Sequence, residues 1–575
     1  MSMMPSPDGR TTNGNATSEQ HLSRRNFLGM AGMTLAGTAL AVSQTGRTFH
    51  TATAQGGTIP APNIRPNIIL IITDQERYPR HWPENWVLDN LPAHKRLMEH
   101  GLTFRRFFCN AAMCSPSRAT LFTGMHPQQH GVTRTLTVGG TESPTETPLA
   151  PGVQTLGKML ADVGYHVAFK GKYHISKAAN GGEPTATDAA ALGFKEWEPT
   201  TMANDAAVEN FAGGCADWDR VTADQAVTFL ATQSAESTAA EPFALVVGLG
   251  NPHDVLAFPR LFDAEDENGC TNYADFDFER GIDLPPTINE DLSTKPTCQT
   301  DSLNLYNVGL GVLTTPLQKR AYANFYAALI QEADKQVTRV LDAIPAAIRD
   351  HTIVIYTSDH GEMGMSHGGQ RQKMFNVYEE TVNVPLIIYN PLLFPQAQTT
   401  DAYGSLLDLM PTIASLARVP NRERWLFYGT DLTPLVDNPA QPVQSEILFT
   451  FDDKEVGQTN GIPTNPQGKK LVQHPYFIRA IFTQDSDGEW KYARYFDPSG
   501  VAAEQYEMYH LRDGNGQAVD PNEESNLAHE AKIMASDLAD VYRDKRAELA
   551  ERLATLEAER LQPLSHIYLP TIQQS

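Results

Sequence analysis

Asn67-Ile68-Ile69-Leu70-Ile71-Ile72-Thr73 is apolar at every position between its two ends, and Asp74-Gln75 follows it directly. A strand with one wet face alternates apolar and polar residues. An unbroken run is what a strand covered on both faces of a parallel sheet needs. Similar runs recur at 243–248, 352–356 and 385–389, with helical periodicity between them at 91–99, 155–163, 221–232 and 321–344. Strands alternating with helices predict an α/β fold: a large mixed, mostly parallel sheet with helices on both faces. Ligands of such sheets gather just past the carboxyl ends of the strands, so the residues closing each run become the candidates.

After about residue 440 the texture changes. Short strand-like pieces at 477–482, 490–495 and 507–511 lead into a charged helical stretch at 530–561. This predicts a smaller C-terminal subdomain, an antiparallel sheet with a helix packed on it. The expected organisation is a leader (1–54), a linker (55–66), a catalytic α/β domain (67–440) and the C-terminal subdomain (441–575). Residues 255–318 show no clear period and are rich in acidic, aromatic and proline residues, the texture of a functional loop or insertion.

The chain has 575 residues, 41% hydrophobic and 20% charged, ordinary for a globular protein. Residues 1–54 hold four arginines and two acids, a net +2, so of the total −23 the remainder carries −25. That field repels polyanions and excludes nucleic acid as a partner. The five cysteines (Cys109, Cys114, Cys215, Cys270, Cys298) form no Cys-x-x-Cys pair, which suggests neither a zinc ribbon nor a disulfide scaffold. Their number is odd, so one is free, linked to another chain or chemically special.

Ser23-Arg24-Arg25-Asn26-Phe27-Leu28 precedes a mild apolar stretch, 29–42, too short and weakly apolar to span a bilayer, and Ala52-Thr53-Ala54 offers small residues for cleavage. The layout resembles a bacterial twin-arginine signal. It implies passage through the twin-arginine translocase, after folding and metal uptake, to a periplasmic or extracellular location. No later segment reads as a transmembrane span.

The sharpest motif is Ala112-Met113-Cys114-Ser115-Pro116-Ser117-Arg118-Ala119-Thr120-Leu121-Phe122-Thr123-Gly124. Pro116 suits a first helical turn and Gly124 a helix end. Cys114 then stands at a helix N-terminus, which favours negative charge, with Arg118 one turn down the same face. On composition alone Cys114 reads equally as a buried structural thiol. Cys-x-Pro-x-Arg followed by Leu-Phe-Thr-Gly, however, resembles the signature of type I, formylglycine-dependent sulfatases of the alkaline-phosphatase-like superfamily. The resemblance implies that a formylglycine-generating enzyme oxidises Cys114 to an aldehyde, which hydrates to a geminal diol.

Gly164-Tyr165-His166-Val167-Ala168-Phe169-Lys170-Gly171-Lys172-Tyr173-His174 is similar to the family's second signature, with Val167 and Lys170 departing from the usual residues. Lys172 and His174 flank Tyr173, so in an extended segment they point to one side. Asp74-Gln75 closes the first run, and Asp359-His360 closes the run at 352–356 ahead of Gly361-Glu362. Two carboxylates, an amide oxygen and an imidazole suit a hard divalent cation. With residue 114 they form the implied metal set. Many sulfatases have Asp-Asp and Asp-Asn here; these pairs look more like those of the choline-sulfatase and phosphonate monoester hydrolase branches. Calcium is the expected ion, with Mg2+ and Mn2+ as alternatives.

Asn251-Pro252-His253-Asp254 places a histidine where sulfatases keep one beside the leaving group. Lys373 matches the lysine ahead of Tyr378-Glu379 and Val384-Pro385-Leu386-Ile387, and His367 and Arg371 are further candidate pocket residues. The likeness extends from about 66 to 527, through Asp408-Leu409-Met410-Pro411-Thr412-Ile413, Trp490-Lys491-Tyr492 and Tyr509-His510-Leu511. It implies hydrolysis of a small-molecule or saccharide sulfate monoester to alcohol and inorganic sulfate. In that scheme the metal, Arg118, Lys172 and Lys373 hold the sulfate, and a hydroxyl of residue 114 attacks sulfur. His253, assisted by Lys373, protonates the alcohol, and His174 deprotonates the second hydroxyl to release sulfate. Aryl, choline and carbohydrate sulfates all remain as substrates. Two rivals stand beside this reading. A phosphonate monoester or phosphodiester hydrolase would lack the Lys172 and His174 pair, and a non-catalytic secreted binding protein would have lost ligands.

Overall fold

The computed structural model describes residues 65–136, 146–202, 207–266, 268–453, 471–534 and 537–562. The leader and nearly all of the linker lie outside the described residues. Nine strands belong to the larger part of the fold: β1 (Asn67–Asp74), β2 (Gly101–Phe104), β3 (Phe107–Phe108), β4 (His166–Gly171), β5 (Phe243–Pro252), β6 (Thr352–Ser358), β7 (Leu386–Tyr389), β8 (Gln398–Thr400) and β9 (Gly404–Ser405). Seven of them form one sheet in the order β4-β5-β1-β6-β7-β2-β8. Only β7 runs against its neighbours, β6 and β2; the remaining pairs are parallel.

β1 sits centrally, and every one of its residues is buried. Ile69 and Ile71 pack on Ala226 and Leu230 of the helix Trp218–Ala231 and on Val337 and Leu341 of the helix Pro316–Asp342. On β4, Phe169 meets Phe122 of the helix Cys114–Thr123, with ring centroids 5.8 Å apart. Burying each such side chain contributes about 1.5–3 kcal/mol, which is why the run cannot afford a polar residue. The helix predicted at 155–163 is Leu156–Asp162, started by Thr155, whose hydroxyl accepts from the Lys158 amide at 3.1 Å. The one predicted at 321–344 begins earlier, because Thr315, Pro316 and Gln318 make a capping box with proline in the first turn.

The C-terminal sheet is antiparallel, in the order β10 (Glu446–Phe451), β11 (Phe477–Asp485), β12 (Gly488–Phe496) and β13 (Gln505–Asp513). Leu549, Leu553 and Leu556 of the helix Ala539–Arg560 cover Leu448, Ile481, Trp490 and Tyr492. The predicted charged stretch also contains a separate short helix, Glu530–Met534. Residues 255–318 are more regular than their texture suggested. They include the helix Thr297–Leu310, whose buried face mixes Gln299 and Ser302 with Leu305 and Tyr306, so it carries no apolar period. Cys215 and Cys270 form one disulfide, and Cys109, Cys114 and Cys298 are buried thiols. No described helix is long and apolar enough to cross a membrane.

Candidate active site

Four adjacent strands, β4, β5, β1 and β6, are parallel, so their carboxyl ends lie along one edge. Lys172 follows β4, His253 follows β5, Asp74-Gln75 closes β1, and Asp359-His360 follows β6. Gly171 makes the first exit tight. It has φ +82°, and a Cβ there would lie 2.1 Å from the Gly248 carbonyl oxygen, so only glycine lets the Lys172 amide reach that oxygen at 2.8 Å. Gln75 and His174 also hold positive φ, 73° and 54°. Such backbone costs about 1–3 kcal/mol per residue and tends to persist at functional sites. Because of it the segment is not extended at His174.

The helix Cys114–Thr123 delivers the motif as predicted, ended by Gly124 with φ 65° and its amide on the Thr120 carbonyl. Cys114, Asp74, Asp359 and His360 each offer a ligand atom, all within 4.8 Å of one another and all buried. The Cys114 thiol lies 3.1 Å from His360 Nε2 and 3.6 Å from Asp74 Oδ1. Burial, helped by Asp74, pushes that thiol up to about 12, so it is un-ionised at neutral pH. Arg118 spans the cluster: Nε donates to Asp359 Oδ2 at 2.7 Å, Nη2 to Asp74 Oδ2 at 3.4 Å, and Nη1 to the Lys172 carbonyl at 2.9 Å. Lys172 Nζ pairs with Asp74 Oδ2 at 2.5 Å.

These neighbours split the two carboxyls. Burial pushes Asp74 up, but Lys172 and Arg118 pull it well below the usual carboxylate range. Burial and the Asp74 charge push Asp359 up, against Arg118. Two buried carboxylates facing one pocket are the arrangement a divalent cation relieves. His360 fits that role, since its Nδ1 donates to the Gly361 carbonyl at 3.1 Å and leaves Nε2 as an acceptor facing the cluster, where the Cys114 thiol meets it. Gln75 fits as well. Its Nε2 is held by Glu362 Oε2 at 2.5 Å, which turns Oε1 toward the site, where Lys373 Nζ donates to it.

His174 is oriented by a bond from Nε2 to the Leu136 carbonyl, which leaves Nδ1 bare, buried and without a hydrogen-bond partner. His253 Nδ1 is also buried and unpartnered. Burial, together with Lys172, holds both imidazoles well below their usual range, that is, neutral. His367 and Arg371 stand apart from this group. His367 stacks on Tyr378 and bonds Glu290 at 2.6 Å, while Arg371 donates to Asn307 and the Gly311 carbonyl, so both belong to a buried network beside the site.

Glu362 was not singled out from the sequence, yet it holds Gln75 and accepts from Tyr322 at 2.8 Å. Ser117 adds a bond to the Asp359 carbonyl. Only the place of Glu362 after Asp-His-Gly hinted at a part in the site.

The strand-end carboxylates, His360 and the helix-borne residue 114 form a group that could hold a metal ion, with cations around it. Residues 66–419 match the sulfatase family model, and the chain belongs to that family. It is a sulfuric ester hydrolase. The chain is 27% identical to an uncharacterized sulfatase, YidJ, of Escherichia coli over 62% of its own length and 69% of that protein. It is 26% identical to arylsulfatase K of Gallus gallus, over 82% and 80% of the two chains. A solved 2-O GAG sulfatase shares the fold with a TM-score of 0.61 at 22% identity, covering 86% of this chain and 93% of its own. The phosphonate monoester hydrolase of Agrobacterium radiobacter does so with a TM-score of 0.57 at 19% identity, covering 86% and 96%.

Proposed function

We propose that this sulfatase works through formylglycine made from Cys114 and a divalent metal, calcium by the hardness of its donors, held by Asp74, Gln75, residue 114, Asp359 and His360. The observation that carries the reading is the convergence of Cys114, Asp74, Asp359 and His360 within 4.8 Å, inside a ring of buried cations. When bound, the metal supplies Lewis-acid stabilisation of charge at the sulfate. As a formylglycine hydrate, residue 114 supplies two hydroxyls, one to attack sulfur and one whose deprotonation expels sulfate; a serine has only the first.

Arg118, Lys172 and Lys373 present positive charge to the pocket, which suits the single negative charge of a sulfate monoester. His174, with its bare Nδ1, is the base for the second hydroxyl. His253, neutral at rest, takes up a proton as the negatively charged ester enters and delivers it to the departing alcohol, with Lys373 beside it. One related fold is described with its substrate, D-glucosamine-2-N,6-O-disulfate. With it as a guide, the proposed substrate class is a sulfated saccharide. Residues 1–54 are proposed as a twin-arginine signal leading to the periplasm or beyond, residues 67–440 as the catalytic domain and 441–575 as its C-terminal subdomain. Mass analysis of the tryptic peptide around residue 114 tests the nucleophile: an active preparation should be lighter by about 18 Da there, thiol to aldehyde. An unmodified cysteine in fully active enzyme refutes it.

A further inference from the structure

His253 has no hydrogen bond that fixes its ring through Nδ1, so its aim depends on the backbone either side of it. That backbone is clamped twice. Ahead of it, the Asp219 carboxylate accepts from the amides of Gly250 and Asn251 at 2.6 and 3.0 Å. Behind it, the Asp254 carboxylate accepts from the amides of Ala212 and Gly213 at 3.1 and 2.8 Å, and from the Tyr273 hydroxyl at 2.6 Å.

The second clamp joins two distant segments, 212–213 and 273, at one carboxylate. Cys215 lies two residues from Gly213, Cys270 lies three from Tyr273, and a disulfide joins them across a separation of 55 residues. The Cys215 amide also donates to Asn272 Oδ1 at 3.4 Å. The contact is close enough to need glycine: a Cβ on Gly213 would lie 2.5 Å from the Tyr273 hydroxyl, and one on Gly214 1.9 Å from Asn272 Oδ1. Beyond these bonds, Tyr273 leans on Phe325, with ring centroids 5.1 Å apart.

We infer that Tyr273 and the Cys215–Cys270 bond are positioning elements for His253, acting through Asp254, and therefore govern departure of the alcohol rather than attack on sulfur. This rests on His253 being the proton donor to the alcohol. A good leaving group needs no donor, so a misplaced His253 should be felt only by poor ones.

The test uses the metal-loaded enzyme with 4-nitrophenyl sulfate and phenyl sulfate, comparing wild type, Tyr273→Phe, Cys215→Ser, Cys270→Ser and His253→Ala. Tyr273→Phe removes only a hydroxyl, which keeps one variant readable if the serine variants fold poorly. The clamp variants should lose about tenfold in kcat/KM on phenyl sulfate and less than about twofold on 4-nitrophenyl sulfate. His253→Ala should show the same bias, at about a hundredfold on phenyl sulfate. Equal losses on both esters in Tyr273→Phe, or none on either, would overturn the clamp while leaving His253 in place. No bias in His253→Ala would overturn the donor assignment, and this inference with it.

Discussion

His94 and His174 are both buried, yet the first is charged and the second neutral. His94 meets a residue just past β1, with Nδ1 2.6 Å from Asp334 Oδ1 and Nε2 3.0 Å from Glu76 Oε1. Burial alone would lower it, but the two carboxylates raise it to about 10. His174, just past the end of β4, has one nitrogen on a carbonyl, the other bare, and cations for neighbours, so burial wins and it stays neutral. The pair teaches that burial does not decide a proton's place. A histidine with both nitrogens answered is a lock, whereas one with a lone pair left over can take a proton. The junction with the C-terminal sheet is of the first kind. There Lys491 Nζ reaches Glu523 at 2.6 Å, Glu379 at 3.2 Å and the Val377 carbonyl at 2.8 Å.

The contrast breaks first at the nucleophile. Cys114→Ala should abolish turnover while the unfolding midpoint barely moves, since the change deletes only a thiol. Measurable sulfate release by that variant would refute the assignment of residue 114. Asp359→Asn should empty the metal site and cost at least about a thousandfold in kcat. Elemental analysis should then fall from one divalent ion per chain to none, and an unchanged metal content would show that the ligand set is wrong.

The two neutral histidines should separate kinetically. His174→Ala should give a burst of alcohol followed by turnover slowed about 10²–10⁴-fold, because sulfate release loses its base. Full steady-state activity in that variant would return the site to the phosphonate reading.

The smallest effect belongs to the lock. Replacing His94 with Gln should cost about 3–5 kcal/mol by leaving two buried carboxylates without a countercharge. The folded state raises this imidazole above its usual 6.5, to about 10. Its contribution is therefore fully present below pH 6.5 and fades as pH climbs toward 10. Denaturant titrations of both proteins across that range should converge at the alkaline end. A gap independent of pH would mean that His94 is not charged in the fold.

Much of the site could be read from local pattern. The run before Asp74 had to be a doubly covered strand, and parallel strands present their carboxyl ends together, so Asp74 and Asp359 were candidates before any coordinates. The motif around Cys114 carried its own helix start and stop. Less legible was the backbone at His174, because positive φ in a non-glycine residue leaves no mark in composition. The helix Thr297–Leu310 buries glutamine and serine, which gives the hydrophobic period nothing to follow. Glu362 reads as one acid among many until Gln75 is seen to hang from it.

Sequence alone determined the class of fold and singled out Cys114, Asp74 and Asp359 as candidates, because each depends on residues near in the chain or on the repeat of apolar runs. Tertiary structure decided which cation answers which carboxylate, which histidine nitrogens stay bare, and that Cys215 meets Cys270 across 55 residues. Those outcomes depend on groups brought together from distant segments in a medium too dry to screen them, where a few ångströms settle a proton's place.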